Sequence, residues 1–231
     1  MRSQFVRGMA DGIPIMLGYF SVSIGFGILA VRSGLSILEA VGISASNLTS
    51  AGQAAGVSVI AAGGTLIEMA ISQLVINLRY ALMGVSLSQK LSPDFRLYQR
   101  LIAAFGITDE IFAVAVSKTE PVTAKYMYGL IFTPFIGWTT GTLVGAAAGG
   151  VLPQFITNAL GIMLYGMFIA IIMPASKKDH RVMAAVIIAA GLSALISFLL
   201  PFVSTGFAVI ICALAASVLC ALLFPVKEEN N

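Results

Sequence analysis

The chain has 231 residues, of which 58% are hydrophobic and 10% charged, with a net charge of +3 and a mean hydropathy of +0.98. A soluble domain carries roughly a quarter charged residues, so too little charge is present to cover a water-facing surface. The small net charge is scattered between apolar runs, which argues against nucleic-acid binding and for a polytopic helical membrane protein.

Apolar runs recur at lengths that suit a hydrocarbon core about 30 Å thick. The first predicted span is 12–31. Arg2 and Arg7 precede it as in a leader, but Asp11 and Pro14 interrupt the approach and no A-x-A site follows, so a retained span is expected. Segment 35–62 is apolar but interrupted, because "ISASNLTSAGQAAG" (43–56) crowds small and polar residues between glycines. Segment 64–88 carries "QLVINLRYALMG" (73–84), and a basic link with Lys90, Arg96 and Arg100 follows. Segment 101–117 is short, with Asp109 and Glu110 near its centre. Beyond a link with Lys118, Glu120 and Lys125 come 126–150 and 155–174, the basic loop "KKDHR" (177–181), and the spans 182–200 and 205–224. These make about seven or eight apolar segments. No polar linker divides them, so one transmembrane domain, 1–231, is expected.

A weak internal repeat is visible. "PIMLGY" (14–19) resembles "PFIGW" (134–138), and "AVGI" (40–43) resembles "ALGI" (159–162). The halves are 12–88 and 131–200, linked by 101–117, with 205–224 as an extra C-terminal span. Placing Arg2, Arg7, the 90–100 link and KKDHR in the cytoplasm makes 35–62 and 155–174 broken or re-entrant, in two inverted halves. If both cross fully, eight spans result and the 90–100 cluster lies outside.

Charged groups deep in an apolar segment are costly and mark function by default. Arg79, Asp109 and Glu110 are such groups, and their matched depths predict an ion pair, either locking two helices or forming a coupling site. Two adjacent acids need not both pair with one arginine, so the second is a candidate proton carrier. Asn77 and Arg79 stand about 200° apart on a regular helix. Either two faces are used or the helix opens there. Ser46, Ser50 and Gln53 share a face; small residues there also allow close helix packing, but Gln53 is long and polar. Tyr19 and Trp138 occupy matching places in the two halves. The candidate substrate-binding set is therefore Tyr19, Asn47, Ser50, Gln53, Asn77 and Trp138. Cys212 and Cys220 lack metal-ligand spacing and read as core residues. No nucleotide-binding, zinc-hydrolase or serine-hydrolase motif is present, so no enzyme activity, metal or cofactor is expected.

Five pieces in order, "GIPIMLGYFSVSIGFGILAVRSGLS" (12–36), "SNLTSAGQA" (46–54), "NLRYALMGVSL" (77–87), "TDEIFAV" (108–114) and "GWTTGTLVGAAAG" (137–149), resemble the AzlC-type branched-chain amino acid permease family. Ala54 and Tyr80 stand where the family pattern has Phe and His. The resemblance implies export of branched-chain amino acids across an inner membrane with a small AzlD-type membrane subunit. Proton coupling is compatible with the acids. A channel-like facilitator of a neutral solute, or a non-transporting scaffold subunit, are the alternative readings.

Overall fold

The computed structural model describes residues 3–149, 155, 162, 166, 169, 172–174, 176–200, 202–203 and 205–225. Among these the chain is all-helical: α1 (Gln4–Arg32), α2 (Ile37–Ser46), α3 (Ser50–Ala61), α4 (Leu66–Ser88), α5 (Leu97–Phe105), α6 (Asp109–Val116), α7 (Ala124–Ala148), α8 (His180–Leu199) and α9 (Thr205–Leu223). By length and composition α1, α4, α7 and α8 can each cross a membrane, and α2 and Phe207–Leu223 are shorter apolar helices. The protein is a multi-pass membrane protein. The expected segment 155–174, with its "ALGI" echo, lies largely outside the described residues.

The helices start where short polar side chains satisfy their first free N–H groups. Ser3, Thr108, Thr123 and Asp179 cap α1, α6, α7 and α8. Ser36 and Glu39 form a reciprocal capping box at α2. Gly34 and Gly63 turn the chain at positive φ after α1 and α3.

The chain divides into two compact units, Met1–Ala54 with Asn77–Leu164, and Ala55–Ile76 with Tyr165–Asn231. In the second, the end of α3 and the start of α4 form a hairpin in which Gly56 faces Met69 and Gln73. The His180 ring at the start of α8 meets Phe224 just past α9, so those two helices are antiparallel.

The first unit is built on α1 against α7. The contacts advance together along both helices: Gly8 lies on Tyr126 and Leu130, Gly137 on Met16, Gly141 on Phe20, and Gly145 on Ile24. The two helices are therefore parallel. This corrects the inverted plan, in which α1 and α7, as corresponding segments, must run in opposite directions. The cause is the run Gly137-xxx-Gly141-xxx-Gly145, a stripe of absent side chains on one helical face that lets two backbones touch. Trp138, Phe26, Met127 and Leu130 fill the space beside the seam.

Segment 101–117 is also not one helix. α5 ends at Gly106, whose missing side chain makes room for Ile131. Thr108 then caps α6, so Asp109 and Glu110 sit in a first turn rather than at mid-helix. A helix N-terminus favours anionic groups, which accounts for their position. A short bridge pairs Leu91 with Val122, and Ser92 N–H donates to the Val122 carbonyl at 2.9 Å. Both ends of α5–α6 thus adjoin one face of the unit, while Phe105 reaches in to Phe135. That face carries Lys90 and Lys118 on the links, Lys125 in the first turn of α7, and Arg7 near the start of α1. α2 begins from the opposite end, after the C-terminus of α1, and stops at Asn47.

Candidate functional site

Two helix interruptions, 47–49 and 106–108, meet at Tyr19 of α1. Leu48 packs with Tyr19 and Trp138 in one buried cluster. On the other side the Tyr19 hydroxyl lies 2.7 Å from Thr108 Oγ1 and donates to Glu110 Oε2 at 2.5 Å. The Tyr19 ring sits edge-on to Trp138, centroids 5.3 Å apart, and Phe26 stacks on the other ring at 6.4 Å. Both arrangements are favourable aromatic geometries.

Gln53 is 2% exposed and its amide is fully used. Oε1 accepts from Trp138 Nε1 at 2.9 Å, while Nε2 donates to the Asn47 carbonyl at 2.5 Å and the Ile43 carbonyl at 3.3 Å. Those carbonyls end α2, where a helix has no internal partners for them. Gln53 therefore ties the break to the indole. Asn47 turns its carboxamide oxygen to Thr49, accepting from the backbone N–H at 2.7 Å and the hydroxyl at 2.6 Å. Ser50 is the first residue of α3. Ser44 and Thr142 share a 2.8 Å hydroxyl contact beside this group.

Arg79 Nη1 lies 2.7 Å from Asp109 Oδ2. The guanidinium also sits 5.0 Å over the Tyr80 ring and donates to its hydroxyl at 3.3 Å. Glu110 takes the Tyr19 bond instead. α4 continues unbroken through Asn77, so Asn77 and Arg79 use two faces. Arg79 stands nine residues before Ser88, and Asp109 nine before Lys118. At the helical rise both lie roughly 13 Å in from the basic face, close to the middle of a core about 30 Å thick. Tyr19, Asn47, Gln53, Trp138, Asp109 and Glu110 are thus brought to one neighbourhood.

Sequence reasoning missed a second polar cluster. Asp11 Oδ2 accepts from Lys118 Nζ at 2.6 Å and from the Tyr126 hydroxyl at 2.7 Å. The Asp11 carboxylate raises the Lys118 pKa above the ordinary lysine value, keeping it charged. An acid just before the first predicted span and a lysine between two apolar segments were the traces it left. A recess of about 310 Å³ beside it is lined by Gln4, Arg7, Lys118, Glu120 and Tyr126. Among the described residues no group of three or more His, Cys, Asp or Glu side chains is placed to hold a metal ion.

Gln53→Ala leaves the Asn47 carbonyl and the buried Trp138 indole N–H without these partners, each costing roughly 1–3 kcal/mol, while the Ile43 carbonyl keeps the Ser46 hydroxyl at 3.1 Å. We expect a clearly lowered melting temperature in detergent, partly restored in Gln53→Asn. An unchanged melting curve would mean that water replaces the amide without loss.

Such an arrangement defines a multi-pass helical membrane protein with aromatic, amide and charged groups gathered at mid-depth. The chain belongs to the AzlC family, whose profile, described as AzlC protein, matches residues 14–152. It is 29% identical over 204 residues to the inner membrane protein YgaZ of Escherichia coli (strain K12), covering 85% of this chain and 83% of that protein. It is 32% identical over 219 residues to an "Uncharacterized membrane protein" of Archaeoglobus fulgidus, covering 94% of each. A Helicobacter pylori (strain ATCC 700392 / 26695) membrane protein is 25% identical over 188 residues, covering 77% of this chain and 81% of that protein. No solved structure matches. The family is one of branched-chain amino acid transport.

Proposed function

We propose that the protein is a secondary transporter in the cell (inner) membrane that exports branched-chain and other apolar amino acids. The observation that carries this reading is the meeting of two helix interruptions on Tyr19 and Trp138. Discontinuous helices at mid-depth are how transporters present backbone groups to polar substrates in a bilayer. The start of α3, with Ser50, supplies donors for a carboxylate. The Asn77 carboxamide supplies an acceptor for an ammonium, and Asn47 shapes the break beside it through Thr49. Tyr19 and Trp138 wall the apolar side chain, and Gln53 holds the wall. One methylene is worth only about 1–3 kcal/mol in such a pocket, so Leu, Ile, Val and Met are all carried, and Asp and Lys are rejected. A small AzlD-type subunit completes the transporter.

In this reading α5–α6 is a re-entrant hairpin from the cytoplasmic, basic face, and 1–231 is one transmembrane domain. Any repeat over 12–88 and 131–200 then has parallel first helices. Single cysteines at Arg96 or Glu120, in a Cys212→Ser, Cys220→Ser background, should resist an impermeant maleimide in intact cells and label after permeabilisation. A cysteine at Gly34 should label from outside. The reverse pattern would turn the unit over in the membrane.

The functional test uses cells loaded with a leucine dipeptide. Cells with the chain and its small partner should release leucine, and cells with Trp138→Ala at equal membrane level should retain it. Equal release from both would move the substrate site elsewhere. A facilitator would release leucine only down its gradient, and a scaffold would release none without a second transporter.

A further inference from the structure

We infer that Glu110, alone of the two adjacent carboxylates, is the site of a coupling proton, and that Tyr19 transmits its protonation to the Trp138 wall. The inference rests on the transport reading above and adds the coupling ion and its carrier. The structure divides the two acids by partner. Asp109 is held by a guanidinium at 2.7 Å, a charged partner that fixes its carboxylate in place. Glu110 has a neutral phenol at 2.5 Å as its partner. A phenol can either donate to a carboxylate or accept from a carboxylic acid, so this bond survives protonation by reversing.

The reversal conserves every proton. With Glu110 ionised, the Tyr19 hydroxyl donates to Oε2. A proton taken from the outer solution forms the Glu110 carboxylic acid, which then donates to Tyr19 Oη. The single Tyr19 proton must turn elsewhere, and Thr108 Oγ1 stands 2.7 Å away to accept it. Release of the Glu110 proton to the cytoplasm restores the first state. One proton enters per cycle, and no other bond is made or broken. The Tyr19 ring is in edge contact with Trp138, whose N–H is fixed by Gln53 at the end of α2. A change at the hydroxyl is thereby felt at the wall and at one of the two interruptions.

The charged and titratable groups around Glu110 are few. α1 presents Tyr19, and its Asp11 and Arg7 lie two and three turns nearer the basic face. α4 presents Tyr80, within electrostatic reach of Glu110, and Arg79, which pairs with the neighbouring Asp109. Its own turn presents Asp109. The titratable groups of α7, namely Lys125, Tyr126 and Tyr128, fall in its first two turns, with Tyr126 on Asp11. Glu110 therefore stands beside the Arg79–Asp109 ion pair.

The test is leucine accumulation in proteoliposomes of the chain with its small partner, driven by an imposed pH gradient, together with the pH profile of leucine counterflow. Wild type should accumulate leucine against its gradient. Glu110→Gln should reduce accumulation to the equilibrium ratio of one and flatten the pH profile, with downhill flux still measurable. Glu110→Asp should recover part of the accumulation with a displaced profile, which a merely structural role does not produce. Tyr19→Phe should shift the profile while keeping some accumulation. Gradient-driven accumulation by Glu110→Gln at the wild-type ratio would overturn the inference while leaving the transport reading intact. So would an Asp109→Asn variant that alone loses the pH dependence. Wild-type proteoliposomes that carry no leucine at all would instead remove the transport reading.

Discussion

Arg79→Ala is expected to abolish leucine transport and to destabilise the protein. The change removes the cation paired with Asp109 and leaves a carboxylate about 13 Å in from the basic face. An ionised acid at the centre of a membrane helix costs about 2.5–3.5 kcal/mol on insertion scales. The two side chains are 45% and 36% exposed, so water in a transport cavity offsets part of that, and about 3 kcal/mol is an upper figure. The variant also loses the contact of the guanidinium over Tyr80. Arg79→Lys should fall between, because an ammonium keeps the charge but cannot present a planar fork to Asp109 while covering the ring. Asp109→Asn should lose stability too, and Arg79→Ala combined with Asp109→Ala should be more stable than either single change. Melting temperature in detergent and counterflow rate read both effects. If Arg79→Ala melts and transports as wild type, the pair is incidental.

The second large effect is at the α1–α7 seam. A Cβ built at Gly145 falls on the Ile24 carbonyl, and one at Gly141 on the Phe20 carbonyl and Ser23 Oγ. Those atoms are backbone or are held by it, so neither can move aside without parting the helices. Overpacking a tight interior costs about 1–3 kcal/mol per site, and a backbone clash more. Gly145→Val should therefore leave little folded protein in the membrane, and Gly145→Ala should already lower the melting temperature by several degrees. Gly18 is the internal control: it lies on α1 with nothing near its would-be Cβ, so Gly18→Ala should be neutral or slightly stabilising. Equal tolerance of alanine at both positions would mean that the two helices do not touch as described.

These two predictions differ in how far they were legible beforehand. The Arg79–acid pairing could be read because charge is rare in apolar segments and depth can be counted along a helix. Which acid pairs could not be read, since Asp109 and Glu110 are neighbours in chain and only the cap at Thr108 sets their directions. The interruption near Asn47 was legible in the crowded polar residues of 43–56. That at 106–108 was not, because a lone Gly106 inside an apolar run has no fixed meaning until Ile131 is seen to occupy its space. The Gly137, Gly141 and Gly145 spacing stands in the sequence but was not read there as a packing stripe, because its partner lies in α1, more than a hundred residues away. The repeat reading set Tyr19 and Trp138 in matching places, and the two rings do meet, but α1 and α7 run parallel where inverted halves require them opposed. Gln53 was noticed for being long and polar, and it proved to be saturated by protein partners. Its part in the proposed site is to hold Trp138 and the end of α2.

The most direct measurement of the central claim is uphill leucine movement in proteoliposomes holding the chain and its small AzlD-type partner, with no other protein. The account predicts that an imposed pH gradient drives labelled leucine above its equilibrium ratio. It also predicts that unlabelled isoleucine, valine and methionine compete, that aspartate and lysine do not, and that Trp138→Ala abolishes the movement. Leucine that only equilibrates, at a rate indifferent to the pH gradient, would contradict coupled transport. No leucine movement above that of empty vesicles, with the complex intact by size, would contradict the claim that this chain carries amino acids.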